Sequence, residues 1–228
     1  MSGRLASFRG PSTPTKAPAK FQAAQSPSSP ARQVESTYHR KTRTILQDLR
    51  GHTETWDDLV LHDGLKNLKL LASKRYAATR LLASQIDVQE TISLALKLRI
   101  MENCIANLDL VIQKLDKQFK KMNREIENLE ALMIEAEKIK GAKWVHEEPL
   151  WCTWSLEKFV ISIPAIIVPY HRSLHLHKQL LESVRSHSTP FEKAKEAVTK
   201  WAQQPFLIDD GWNAKWEDLC DVEVERWD

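Results

Sequence analysis

A seam of apolar residues runs through the middle of this chain in alternating steps of four and three: Leu94, Leu98, Met101, Ile105, Leu108, Ile112, Leu115, Phe119, Met122, Ile126, Leu129, Met133 and Ala136. Only a helix packed on another helix keeps a 3.5-residue period facing one partner, so the pattern predicts a long coiled-coil helix. With Leu98 as heptad position a, Ile112 and Phe119 fall at a, and Leu115 and Met122 fall at d. No polar residue interrupts either column, so nothing in the seam resembles the buried asparagine that fixes a two-stranded register. A helix of about 43 residues would extend about 64 Å and would protrude or bridge rather than close into a globule.

The flanking columns bear on the partner. The e sites read Glu102, Asp109, Asp116, Asn123, Glu130 and Glu137, and the g sites read Lys97, Cys104, Val111, Gln118, Glu125 and Leu132. A parallel homodimer needs e and g of opposite sign, and an antiparallel one would set acidic e against acidic e. Neither demand is met, which disfavours a homodimer. The apolar g residues Cys104, Val111 and Leu132 widen the stripe, as suits a helix with two neighbours. The expectation is an intramolecular hairpin or a heteromeric bundle, with a plain homodimeric coiled coil as the alternative.

The net charge of +3 is unevenly placed. Residues 1–43 carry eight basic side chains against Glu35 alone, which leaves the rest of the chain mildly acidic. Residues 1–40 are also rich in Pro, Ser, Thr and Ala, with hardly an apolar cluster to offset the entropy of ordering. They read as a disordered tail. Thr13-Pro14-Thr15-Lys16 and Ser29-Pro30-Ala31-Arg32 match the Ser/Thr-Pro-x-Lys/Arg form used by cyclin-dependent kinases. Thr13 and Ser29 are therefore candidate phosphorylation sites, with Ser26 before Pro27 beside them, and phosphate there would cancel much of the tail's charge.

Three cysteines, Cys104, Cys152 and Cys220, stand far apart with no C-x-x-C pair, which suits a reducing compartment. The longest apolar run, Ile161 to Val168, is too short to span a bilayer and contains Pro164. The expected location is nuclear or cytoplasmic, with no membrane partner.

Residues 41–142 read as a helical region. A first stretch from about Thr42 to Ile86 is interrupted near Gly51, where Thr53 or Thr55 could cap. The long helix follows from about Val88 to Lys140 and is stopped by Gly141. Residues 143–228 read as a Trp-rich helical region. It opens with a loop from Lys143 to Trp154, and Ser155 then caps a helix that Pro164 and Pro169 must kink, unless Pro164 is its true first turn. A further helix runs from Phe191 to about Gln203, and a short acidic one closes the chain near Ala214 to Arg226. The simplest assembly is an all-α hairpin in which the stripe led by Phe159 packs back on the seam.

Chemistry-bearing patterns are sparse. His171 and His175 form an i,i+4 pair beside His177, but no third ligand shares their face, so no metal is expected. Neither phosphate-loop glycine pattern occurs, and no Ser, Cys or Thr sits in a nucleophile elbow, so no cofactor and no catalytic residue is assigned. Lys114, Lys117, Lys120, Lys121 and Arg124 line the outer face of the long helix, as a solvated surface or a weak nucleic-acid contact. Seven of the eight tryptophans lie after residue 143, and tryptophan is enriched at binding hot spots. The same residues would also serve as a small core. The residues assigned to partner binding or packing are Ile112, Leu115, Phe119 and Met122 on the long helix, and Trp151, Trp154, Trp201 and Phe206 beyond it.

The order of landmarks carries a resemblance. Pro149-Leu150-Trp151-Cys152-Thr153-Trp154, then Tyr170-His171-Arg172, Leu180-Leu181 and Trp201-Ala202-Gln203-Gln204-Pro205-Phe206, resemble the cyclin-dependent kinase 2-interacting protein family, as does Thr55-Trp56-Asp57-Asp58-Leu59-Val60 upstream. The resemblance covers roughly Glu54 to Arg226. It implies a non-catalytic adaptor linked to cyclin-dependent and replication-initiating kinases and to genome maintenance. It also implies an accessory subunit, beside other small helical subunits, of an AAA ATPase that acts on ribosomal precursors and replication complexes. Two other readings stay open: a structural coiled-coil subunit of a chromosome-associated complex such as a kinetochore, and a basic-helix nucleic-acid binder.

Overall fold

The Ser36 hydroxyl accepts from the His39 amide at 3.4 Å and caps the first helix, α1, Thr37–Asp58. The computed structural model describes residues 35–82, 88–208 and 212–225. Helix α1 begins inside the stretch read as tail, because Tyr38 is buried with its ring 5.6 Å from that of Trp144. The interruption expected at Gly51 is absent. Thr53 and Thr55 lie within α1, and their hydroxyls donate to the carbonyls of Arg50 and Gly51 at 2.8 and 2.7 Å instead of capping. The irregularity comes later, as a π turn over Leu59–Gly64, after which α2 continues over Leu65–Leu82.

Helix α3, Val88–Lys140, takes the range the seam predicts and is about 80 Å long. Gly141 ends it at φ +89°, a conformation glycine adopts without a Cβ penalty, and its amide donates to the Glu137 carbonyl at 3.0 Å. The segment read as loop starts with a short helix, α4, Ala142–His146, and then turns where the Leu150 amide meets the Trp154 carbonyl at 2.9 Å. Ser155 caps α5, Leu156–Ser162, by accepting from the Lys158 amide at 3.3 Å. Pro164 has no N–H for an α-helical bond, and the chain tightens into a 3-10 turn over Ile163–Ile166 before α6, Ile167–Arg185. Then come α7, Phe191–Gln203, α8, Pro205–Ile208, and α9, Trp212–Leu219, which passes into a second π turn over Cys220–Glu225. The fold is all-α, with no strand among the described residues.

Helix α3 is the spine. Its d residues are buried from Met101 to Ala136, and the apolar g residues Cys104, Val111 and Leu132 are buried with them. This wide stripe lets α3 serve two sides at once. On one side α1 and α2 run antiparallel to it, as Lys41 to Glu135 at 3.2 Å, Lys114 to Asp63 at 3.5 Å and Asn107 to Asn67 at 3.2 Å show, each step up one helix matching a step down the other. On the other side α6 also runs antiparallel, with Arg185 on Asp109 and Lys178 on Asp116, one heptad apart on both helices. The return stripe is thus one wall of a bundle, because α1 and α2 supply a wall that the hairpin reading left out. Helix α7 packs on α2 and α6, and α8 joins α6 to α9.

The stretch Leu156–Arg185 has the length and apolar composition of a membrane-crossing helix, more than the short run around Pro164 suggests. Here it contains the 3-10 turn, and Phe159, Ile163, Tyr170, Leu174 and Leu181 belong to the core.

Candidate protein-interaction surface

The seam residues divide by depth. Leu115 and Met122 have no exposed surface, whereas Ile112 and Phe119 are half-buried. The Phe119 ring lies 5.4 Å from His171, which in turn lies 4.7 Å from His175. A partner can therefore touch Phe119, while Leu115 and Met122 are core. Two residues of the acidic e column, Asp109 and Asp116, are answered from α6 within the chain. Asp109 accepts two bonds from the Arg185 guanidinium, at 2.7 and 3.1 Å. Asp116 takes Lys120 at 2.8 Å and Lys178 at 3.2 Å, and hydrogen bonds from these two lysines hold its carboxyl below the usual range. The bond to Asp109, with that to Glu182, pushes the Arg185 guanidinium up.

Trp151 and Trp154 are half-buried around the turn that follows α4. The Trp151 indole donates to Glu35 at 3.2 Å, and the Arg43 guanidinium sits over its ring at 5.3 Å. Burial works against the Glu35 carboxylate, but hydrogen bonds from Trp151 and Arg43 prevail and lower its pKa. Trp154 stacks at a tilt on Phe159, 5.1 Å away, under Lys158. The C-terminal π turn is fastened to the same place. Glu223, which is buried, accepts from the Thr153 hydroxyl at 2.6 Å and from the amides of Cys152 and Thr153, both at 3.3 Å. A cavity lined by Trp154, Ile163, Leu219 and Val222 lies beside this fastening.

Trp201 is fully buried, so its role is to hold α7 in place. Its indole donates to the Val60 carbonyl at 3.0 Å, a backbone group inside the first π turn. The ring lies against Gly64, where a Cβ would come within 2.6 Å of it. The π turn and the missing side chain together make room for the indole. Trp56, also fully buried, donates to Gln204 at 3.2 Å, and Gln204 donates to Asp57 at 3.0 Å. Gln204 ends α7 at φ +41°, which turns the chain into Pro205 and leaves Phe206 half-buried. His177 stands among these rings, 4.4 Å from Trp201 and 6.4 Å from Trp56, with Nδ1 2.6 Å from the Ser173 carbonyl. Burial pushes its pKa down to about 4.

No family model and no curated protein matches this chain.

The remaining candidates place as follows. Thr13, Ser26 and Ser29 lie outside the described residues. His177 points into the core, apart from the His171–His175 pair, and no group of three or more His, Cys, Asp or Glu is gathered as for a metal among the described residues. Within the basic ridge, Lys114 and Lys120 pair with Asp63 and Asp116. Sequence reading passed over two things. Arg75 is buried in α2 and donates to the carbonyls of Val184 and Ser186 at 2.7 and 2.8 Å, closing the end of α6. No local pattern announces it. The outer face of α3 carries Leu110 and Ile134 at positions f and b, exposed to 54% and 50%. That signal was legible, because a solvated helix places polar residues there.

Proposed function

We propose that the protein is a non-catalytic adaptor, an accessory subunit that pairs helices with partner proteins. Its carrying observation is α3, which presents Leu96, Leu110 and Ile134, at positions f, f and b, to water on the face turned away from its seam. Large apolar side chains on the outward face of one long helix favour a second protein surface over a purely internal role. Two of the five acidic e residues, Asp109 and Asp116, take cations from α6 within the chain, which lessens the electrostatic need of a second copy there. This supports a heteromeric assembly over the structural homodimer. In line with the family resemblance, the partners we assign are an AAA ATPase with other small helical subunits and a cyclin-dependent or replication-initiating kinase. The role is in genome maintenance, ribosome biogenesis or both, in the nucleus or cytoplasm.

The test is native affinity purification of the full-length protein, with mass spectrometry of stoichiometric partners, beside a Leu110→Asp, Ile134→Asp variant. Both changes fall on exposed side chains and leave the core intact. Co-purification of an AAA ATPase with small helical subunits, weakened in the variant, is the expected result. Recovery of the protein only with itself, or with chromosome-structural proteins, would overturn the reading.

A further inference from the structure

The apolar seam outruns its cover. Helix α6 closes over the e side of α3 as far as Asp109 and stops at Arg185, where Arg75 takes its last carbonyls. Toward the N-terminus of α3 the seam continues through Leu98 and Leu94, which are only half-buried, whereas the d column is buried from Met101 onward. Beside them Ile92 is 64% exposed and Leu96 59% exposed. Along this tip α3 packs on α2, and among the described residues no ion pair from α6 reaches α3 beyond Asp109.

Charge selects the occupant. The described part of α2 contains Lys66, Lys69, Lys74, Arg75 and Arg80 and no acidic residue, and the N-terminal turns of α3 set Lys97 and Arg99 against Glu90 and Glu102, so the tip is basic on balance. A second copy would bring a like-charged tip. Residues 1–34 of this chain carry five basic side chains and no acidic one, so they too would be repelled. The acidic C-terminal turn is already fastened by Glu223 to Cys152 and Thr153. We propose that the tip formed by α2 and the N-terminal turns of α3 binds an acidic amphipathic helix of a partner protein, laid on Leu94 and Leu98 in line with α6. Apolar a and d residues of that helix cover the open seam, and its carboxylates meet Lys74, Arg80, Lys97 and Arg99. The assignment rests on the adaptor reading and gives that partner a location and a charge.

The test uses fluorescence anisotropy with full-length protein and two labelled synthetic helices. Both carry Leu at a and d; one has Glu at e and g, and the other has Lys. The Glu helix is expected to bind, and to bind less well as salt rises. Leu94→Asp with Leu98→Asp should weaken it by about tenfold or more, with circular dichroism confirming an unchanged helix content. Lys97→Glu with Arg99→Glu touches no core residue and should shift preference toward the Lys helix. No binding of the Glu helix, equal binding of both helices, or undiminished binding in both variants would overturn the proposal. So would concentration-dependent dimerisation in sedimentation that Leu98→Asp abolishes, because the face would then belong to a second copy. The two readings fail separately. Partners recovered equally by wild type and tip variant in the purification would sink the tip and leave the adaptor. A Glu helix bound at the tip, with no partner recovered by wild type, would sink the adaptor alone.

Discussion

At the scale of single residues, the chemistry of this fold is concentrated where polar groups are buried without water. His177 is the sharpest case. Its ordinary value of 6.5 is lowered to about 4 by burial beside Trp56 and Trp201, so the unfolded chain binds a proton more readily than the folded one. The stability that depends on a neutral ring is fully present above pH 6.5 and is lost as the pH falls through about 4. Burial also lowers His39 and His52, which gives the same sign. Urea unfolding between pH 7 and pH 4 should therefore show falling stability, and a His177→Met variant should lose part of that slope, up to about 3 kcal/mol. An unchanged slope in the variant would mean that the ring titrates normally and is not held in the apolar cage. The sequence places His177 on the stripe that steps through Tyr170, Leu174, Leu181 and Val184, off the face of His171 and His175, and the structure buries it there. Its contact with Trp201 is distant in the chain, and no residue pattern announces it.

At the scale of elements, the seam announced α3, because a period sustained over many heptads is hard to satisfy by anything but a helix, and Gly141 marked its C-terminal end. The register with α6 was less legible, although its parts were in view. The acidic e column looks unsatisfied until Arg185 and Lys178 are seen to fall one heptad apart on α6, matching Asp109 and Asp116. These pairs are substantially exposed, so solvent screens them and their value lies in register more than in energy. Asp109→Arg or Arg185→Asp alone should destabilise the protein slightly, and the double reversal should restore most of the loss, with a coupling of about 0.2–1 kcal/mol that shrinks in high salt. Zero coupling at low salt would dissolve the proposed role of these pairs in register. The misplaced interruption has a comparable cause. Gly51 drew attention as a helix breaker, yet Gly64 is the glycine that α1 and α2 need, and the reason lies in Trp201, far along the chain.

At the scale of the whole molecule, one apolar cluster joins buried residues from Tyr38 to Cys220 and takes in each wall of the bundle. Such continuity predicts a single cooperative transition rather than separate melting of a helical stem and a Trp-rich lobe. Of the residues assigned from sequence, Leu115, Met122 and Trp201 belong to this cluster, and the half-buried Phe119, Trp151 and Trp154 lean on it. The two halves are locked where the Trp201 indole enters the π turn, because that contact ties α7 to the joint between α1 and α2. Gly64→Ala tests the lock directly. A methyl group there meets the indole at 2.6 Å, and a close-packed interior can answer only by shifting the ring or the turn. Overpacking of this kind costs about 1–3 kcal/mol. For a chain of this size that lowers the melting temperature by about 2–4 °C for each kcal/mol. The expected result is an equal fall of the transition followed by tryptophan fluorescence and by far-ultraviolet circular dichroism. If fluorescence melts earlier while helicity holds its wild-type midpoint, α7 with its tryptophans is a separately folding lobe and the single core is refuted.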